Sequence, residues 1–346
     1  MLSKIKNKID KELVNFIDYI DKVYSLKKLS PLLFKSIKDF ALRKGKRVRP
    51  ILLIIGYMGF KKKPARGLYT TALALELLHD FMLIHDDIID KSDTRRGKPS
   101  LHKMMNDYLR GYKNIKFSGE DLSLIMGDII YALSIHAFLA IDENMQRKEK
   151  ALKKFIEAAI HTGSGELIEL LNGLNDIKKI TQKDIYKVYD FKTAYYTFAS
   201  PLATGAILAG AKQSEVTKLF KYGLSLGRAF QIKDDILGMF SEEKETGKSS
   251  LTDLQEAKKT ILIWHAYNNS DKKNKEIIEK IFSKKKVVQK DLLKTREIIK
   301  ASGTLDFAFR ETQKLIKEAQ TALNSSKIFP KYKNYLNSYS QKILIL

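Results

Sequence analysis

The chain of 346 residues has no cysteine. That excludes disulfides and thiolate metal centres, and it leaves the redox compartment unread. Proline is scarce, with six residues at 31, 50, 64, 99, 201 and 330, each where a helix can begin or end. Strand patterns are nearly absent. No uninterrupted apolar run approaches the roughly 18 residues of a membrane span. The charged start, Met1-Leu2-Ser3-Lys4-Ile5-Lys6, is unlike a signal peptide, so the expected location is the cytoplasm. Acids are the minority charge: 40 Asp and Glu stand against 63 Lys and Arg, a net +23. Nucleic acid, an anionic substrate or an anionic membrane surface would suit that excess, and so would a solvated lysine surface. Residues 283–346 hold 14 bases and 5 acids, so much of the excess is local.

What the sequence does have is helical periodicity, on a 44% hydrophobic composition that fits a folded globular protein. Ile5, Ile9, Leu13, Phe16, Ile17, Ile20 and Val23 fall on one helical face. Further helices are predicted over 31–43, 51–60, 66–90, 121–140, 147–173 (interrupted at Gly163-Ser164-Gly165), 182–198, 200–211 and 214–240. Residues 91–120 read as loop, with an insertion near 106–120, and 241–253 as a polar segment. Four or five amphipathic helices complete the chain. There is no linker and no fixed-period repeat. A single all-α domain over residues 1–346 is expected, with helices 66–90 and 214–240 as its core.

In a basic chain, clusters of acids need a reason. Asp86-Asp87-Ile88-Ile89-Asp90 ends the long apolar helix, and Asp234-Asp235-Ile236-Leu237-Gly238 ends the second, 148 residues later. Asp86 and Asp90 project from one helical face, where two carboxylates can share hard cations. Magnesium accepts such oxygens together with water and phosphate oxygens. No histidine pair stands at zinc spacing. A solvated helix end is the plain alternative. Three basic stations accompany the acids. Lys44-Gly45-Lys46-Arg47-Val48-Arg49-Pro50 precedes a helix, whose N-terminus favours anions. Arg95-Arg96-Gly97-Lys98 follows the first acids, and the arginine fork suits phosphate as well as local salt bridges. Lys192-Thr193 interrupts an aromatic run, where a lone lysine is more often snorkelling than catalytic.

Together these residues resemble the trans-isoprenyl diphosphate synthase (polyprenyl synthetase) family. The matching pieces run in family order over about residues 40–260: Gly45-Lys46-x-x-Arg49-Pro50, His79, Asp86–Asp90 with Asp93-Thr94-Arg95-Arg96-Gly97-Lys98-Pro99-x-x-His102, Gly127-Asp128, Lys192-Thr193, Phe230-Gln231-x-x-Asp234-Asp235, Gly247-Lys248 with Asp253, and Lys259-Thr260. The resemblance implies an all-α bundle around a central cavity, usually as a homodimer. It implies Mg²⁺, three per site, on Asp86, Asp90 and Asp234 with Asp87 and Asp235 in support. An allylic diphosphate would rest on Arg95, Lys192, Thr193, Gln231 and Lys248. Isopentenyl diphosphate would rest on Lys46, Arg49, His79 and Arg96. Phe81, five residues before the first motif, and Met82 after it would limit chain length. That resembles enzymes making C20 geranylgeranyl diphosphate, with C15 farnesyl diphosphate as competitor.

The chain departs from the family pattern at Gly238, where a third acid is common, and at Gly165-Glu166, where Gly-Gln is frequent. Two other classes remain in view. A non-catalytic partner subunit tends to lose one acidic motif, and this chain keeps both. A basic helical nucleic-acid binder rests on charge alone and needs no paired acids, so no nucleic-acid partner is expected. The charge leaves room for a weak membrane-surface association.

Overall fold

The structure, a computed structural model, describes residues 2–241 and 251–344. The all-α expectation holds. Contacts divide the chain into two compact units, Met1–Phe155 with Thr204–Gly210, and Ile156–Ala203 with Ala211–Leu346.

The first unit is built on α5 (Leu68–Ile89), against which α1 (Leu2–Tyr24), α4 (Val48–Met58) and α7 (Gly119–Phe138) pack. Ile5, Ile9, Leu13, Phe16, Ile17 and Ile20 of α1 are buried as their spacing requires, but Val23 is 48% exposed. The four-residue α2 (Leu26–Leu29) leads to α3 (Pro31–Ala41). Ser30 caps α3 by accepting from the Leu33 amide, with Pro31 in the first turn.

Residues 91–120 are more ordered than a loop reading allows. Thr94–Arg95 (β1) and Lys98–Pro99 (β2) form a minimal antiparallel hairpin. Then α6 (Leu101–Leu109) buries Leu101, Met105 and Leu109, a four-residue spacing that identifies a helix. The expected insertion therefore begins inside α6. Ser118 and Asp121 form a capping box that starts α7. Among the described residues α7 alone has the length and composition to cross a membrane. It packs along α5 and α6.

The helix α8 (Met145–Leu174) runs through Gly163 and Gly165 without a break. In the second unit a short α9 (Gln182–Val188) passes into a π-helical segment, Tyr189–Ala199, and the chain continues as α10 (Ser200–Leu208), whose residues from Thr204 on belong to the first unit. The segment packs against α11 (Gln213–Phe240). After the polar stretch come α12 (Thr252–Gln255), α13 (Ile261–Asn268), α14 (Lys272–Phe282), α15 (Gln289–Ala301), α16 (Thr304–Asn324) and α17 (Pro330–Leu344). One of these is a single turn, which is how four or five expected helices become six among the described residues.

Candidate active site

In the first unit the chemistry collects at the end of α5. The Asp90 amide donates to the Asp86 carbonyl at 2.8 Å, so these residues stand one helical turn apart on one face. Both are half-buried. Asp87 points elsewhere. It is buried, and its Oδ1 accepts from Nε of Arg95 at 2.8 Å and from a second nitrogen of the same guanidinium. Asp87 thus orients Arg95, one of the expected phosphate holders. Arg43 donates to the Arg95 carbonyl at 3.2 Å and ties the hairpin to the end of α3.

Arg96 is drawn the other way, toward two buried acids about two and three turns before Asp87 on α5. It lies 3.3 Å from Glu76 and 3.1 Å from Asp80. Glu76 also receives Arg47, at 2.5 Å, and Arg47 reaches Asp10 at 2.9 Å. Lys46 is exposed beside this cluster in sequence, and Arg49 is half-buried. Burial, then the fields of Arg49 and Arg96, hold the His79 imidazole well below its usual value, so it is neutral at neutral pH. Burial pushes the Asp80 carboxyl up to about 8, with Arg96 opposing and Glu76 adding to the rise.

The shift at Asp80 gives a pH prediction. An acid raised in the folded state binds its proton there while the unfolded chain has lost it, so stability falls as pH climbs from about 4 to about 8. Asp80→Asn removes this dependence. Its melting temperature, relative to the wild type, should be higher at pH 9 than at pH 6. A constant difference across that range would contradict the assignment.

Close packing around the motif requires glycine at one position. A Cβ on Gly127 would lie 2.7 Å from a His85 ring carbon. Asp128, the next residue, stands 3.8 Å from His85. The Phe81 ring lies 4.5 Å from the His85 ring and 5.1 Å from Tyr131 on α7. Phe81 and Met82 are both half-buried rather than sealed in the core.

In the second unit the π-helical segment carries Lys192 and Thr193. Such widened turns recur at functional sites. Gly165 of α8 lets the two backbones meet there: a Cβ would sit 2.5 Å from the Lys192 amide nitrogen. Lys192 is held between Glu166 at 2.6 Å and Glu169 at 2.5 Å, rather than simply snorkelling. Thr193 donates to Gln231 at 2.7 Å, and Gln231 donates to Asp235 at 2.9 Å. The buried Tyr189 hydroxyl donates to the other oxygen of Asp235 and accepts from the Ile261 amide at 2.9 Å. Burial, followed by the charge of Asp235, raises the Tyr189 phenol well above its ordinary range. Asp234 is exposed at the next position. Burial lowers Lys259 to about 8, and Thr260 caps α13. Lys248, with Thr246, Gly247 and the side chain of Asp253, lies outside the described residues.

The donor set at the acidic motifs is carboxylate oxygen. Among the described residues no three acids or histidines converge into a ready-made metal centre. Magnesium does not need one, since it keeps several waters and takes phosphate oxygens from a substrate, so a pair of carboxylates one turn apart fits it. Sequence reasoning missed Arg43, Glu76, Asp80, Glu169 and Tyr189, which hold the expected residues in place, and it read Arg47 as a member of the anion-binding turn, where the structure pairs it with Asp10 and Glu76.

An all-α chain that keeps paired acids, an aspartate-anchored arginine and a threonine–glutamine–aspartate chain has the parts of a diphosphate-handling enzyme. The profile of the polyprenyl synthetase family matches residues 30–299, and the chain belongs to that family. It is a trans-prenyltransferase acting on prenyl diphosphates, and magnesium is the metal its family suggests. It is similar to a short chain isoprenyl diphosphate synthase of Methanocaldococcus jannaschii, 32% identical over 86% of this chain and 82% of that one. It is similar to a geranylgeranyl diphosphate synthase of Sulfolobus acidocaldarius, 31% identical over 90% of both. A crystal structure of a Corynebacterium glutamicum geranylgeranyl pyrophosphate synthase, complexed with isoprenyl diphosphate and magnesium, superposes with a TM-score of 0.88. It is 25% identical and is covered to 99%, as is this chain.

Proposed function

We propose that the enzyme condenses isopentenyl diphosphate with an allylic diphosphate and releases C20 geranylgeranyl diphosphate, with C15 farnesyl diphosphate as the nearest competitor. The observation that carries this reading is the last turn of α5, where Asp86 and Asp90 stand one turn apart while Asp87 anchors Arg95. Asp86, Asp90 and Asp234 would hold Mg²⁺, three ions in all, with Asp87 and Asp235 in support. Magnesium, when bound, neutralises charge developing on the leaving diphosphate.

Arg95, Lys192, Thr193, Gln231 and Lys248 bind the allylic diphosphate in this reading. Lys46, Arg49, His79 and Arg96 bind isopentenyl diphosphate, and a neutral His79 can still donate one hydrogen bond. The allylic C–O bond breaks and the diphosphate leaves with the electron pair. The isopentenyl double bond attacks the allylic cation and a C–C bond forms. A proton then passes from the neighbouring carbon to the released diphosphate. No side-chain nucleophile is needed, so the residues bind, orient and exclude water. This reading keeps residues 1–346 as one polyprenyl synthetase-like domain and places it in the cytoplasm.

Incubation with Mg²⁺, isopentenyl diphosphate and dimethylallyl, geranyl or farnesyl diphosphate, followed by chain-length determination, tests the reaction. Elongation to C20 is expected; no elongation with any primer would defeat the reading. Phe81, half-buried and in edge and tilted contact with the His85 and Tyr131 rings, is suited to stopping a growing chain. Phe81→Ala should shift the product distribution beyond C20, and an unchanged distribution would remove it as the length gauge. A homodimer belongs to this reading, and Leu124 and Ile125, exposed on α7 between Asp121 and Asp128, are apolar residues it would cover.

A further inference from the structure

The connection from α6 to α7 bounds a cavity of about 590 Å³ that the reaction does not use. Tyr108, Tyr112, Ile115 and Phe117 line it together with Lys113 and Lys116. Leu32 and Leu122 contribute from α3 and α7. None of these residues belongs to the proposed catalytic set. The four large apolar side chains remain 44%, 55%, 38% and 54% exposed, gathered round one hollow. Isolated exposed apolar residues need no explanation, but a contiguous group marks a binding surface. The volume falls among small-molecule sites, roughly 300–1,000 Å³.

The hollow is built by specific contacts. The hydroxyls of Tyr108 and Tyr112 meet at 2.7 Å. Asn106 accepts from the Gly119 amide at 2.8 Å, and its amide group donates to Glu120 at 3.1 Å. Asn114 turns the chain back with φ of 59°. Charge in the lining is one-sided: two lysines and, among the described residues, no acid. An apolar hollow with only cations in its wall suits a molecule with an apolar chain and an anionic head.

We infer that this cavity is a second binding site, separate from the catalytic residues, for an anionic amphiphile. The chain fills the space between the aromatic rings, and the phosphate-type head lies on Lys113 and Lys116. Such a molecule can arrive free in solution, as a prenyl or alkyl phosphate, or in a bilayer, as an anionic lipid.

The test titrates the full-length protein calorimetrically with dodecyl phosphate below its micelle-forming concentration. In parallel, the protein is sedimented with vesicles of phosphatidylcholine, with or without phosphatidylglycerol. Dodecyl phosphate should bind saturably, dodecanol about tenfold more weakly, and Lys113→Glu/Lys116→Glu should weaken dodecyl phosphate about tenfold. Tyr112→Ala should weaken both the phosphate and the alcohol. Basal elongation by all variants should match the wild type, which also reports that they fold. Saturable titration without sedimentation identifies a free amphiphile. Sedimentation that requires phosphatidylglycerol and disappears in the variants identifies a lipid head. Absence of both, or binding of undiminished strength in every variant, overturns the site.

Discussion

Asp86→Ala should lower elongation about 10³-fold while leaving the far-ultraviolet circular dichroism unchanged. Asp86 ends a helix whose preceding turns are sealed by Leu73, Leu75, Leu77 and Leu78, so the helix does not depend on it. Asp86 is half-buried and stands one helical turn before Asp90 on the same face. In the proposed reaction that pair would hold magnesium against the leaving diphosphate, and charge stabilisation is the largest part of such catalysis. Asp90 alone offers too few oxygens in that turn. The loss should fall on kcat, because the interaction grows as the C–O bond breaks. Steady-state rates at saturating substrates and magnesium measure it, and turnover within about tenfold of wild type would count against the metal role.

Glu76→Ala should be the most destabilising of the substitutions considered, by about 3–5 kcal/mol in urea denaturation. Arg47 and Glu76 are both buried and meet at 2.5 Å. Removing the acid leaves Arg47 with Asp10 and the carbonyls of Ala41 and Arg43, and takes one of the two acids from Arg96. Arg47 also sits in the left-handed backbone region, at φ 52°, which costs about 1 kcal/mol or more and persists only where side-chain contacts hold it. Loss of Glu76 should therefore loosen the turn that carries Lys46 and Arg49. A destabilisation below about 1 kcal/mol would mean that the arginine finds another partner or reaches water.

The long apolar-periodic helices were legible because burial imposes their spacing, and α1, α5 and α11 fall close to where periodicity puts them. The acidic motifs were legible because acids at the end of an apolar helix demand compensation. The same reasoning applied to Glu76 and Asp80 would have found them, since both lie inside the apolar run. Their partners were not legible, because Arg47 and Arg96 reach them from 29 and 20 residues away. Gly163 and Gly165 misled for a different reason. Glycine propensity argues for a break, but contact with the Lys192 backbone requires the missing side chain at Gly165, and packing outweighs propensity. The π-helical turns around Lys192 leave no periodic signature that a helix template would separate from an ordinary α-helix.

Two of the cations proposed for the diphosphates are already neutralised. Arg95 lies on Asp87, and Lys192 between Glu166 and Glu169. An arriving diphosphate therefore trades places with a carboxylate instead of displacing a loose cloud of small ions. Recognition at these two residues becomes an exchange of one bound anion for another, and its strength depends little on the surrounding ionic strength. The net charge of +23 acts at longer range, drawing anions toward the protein.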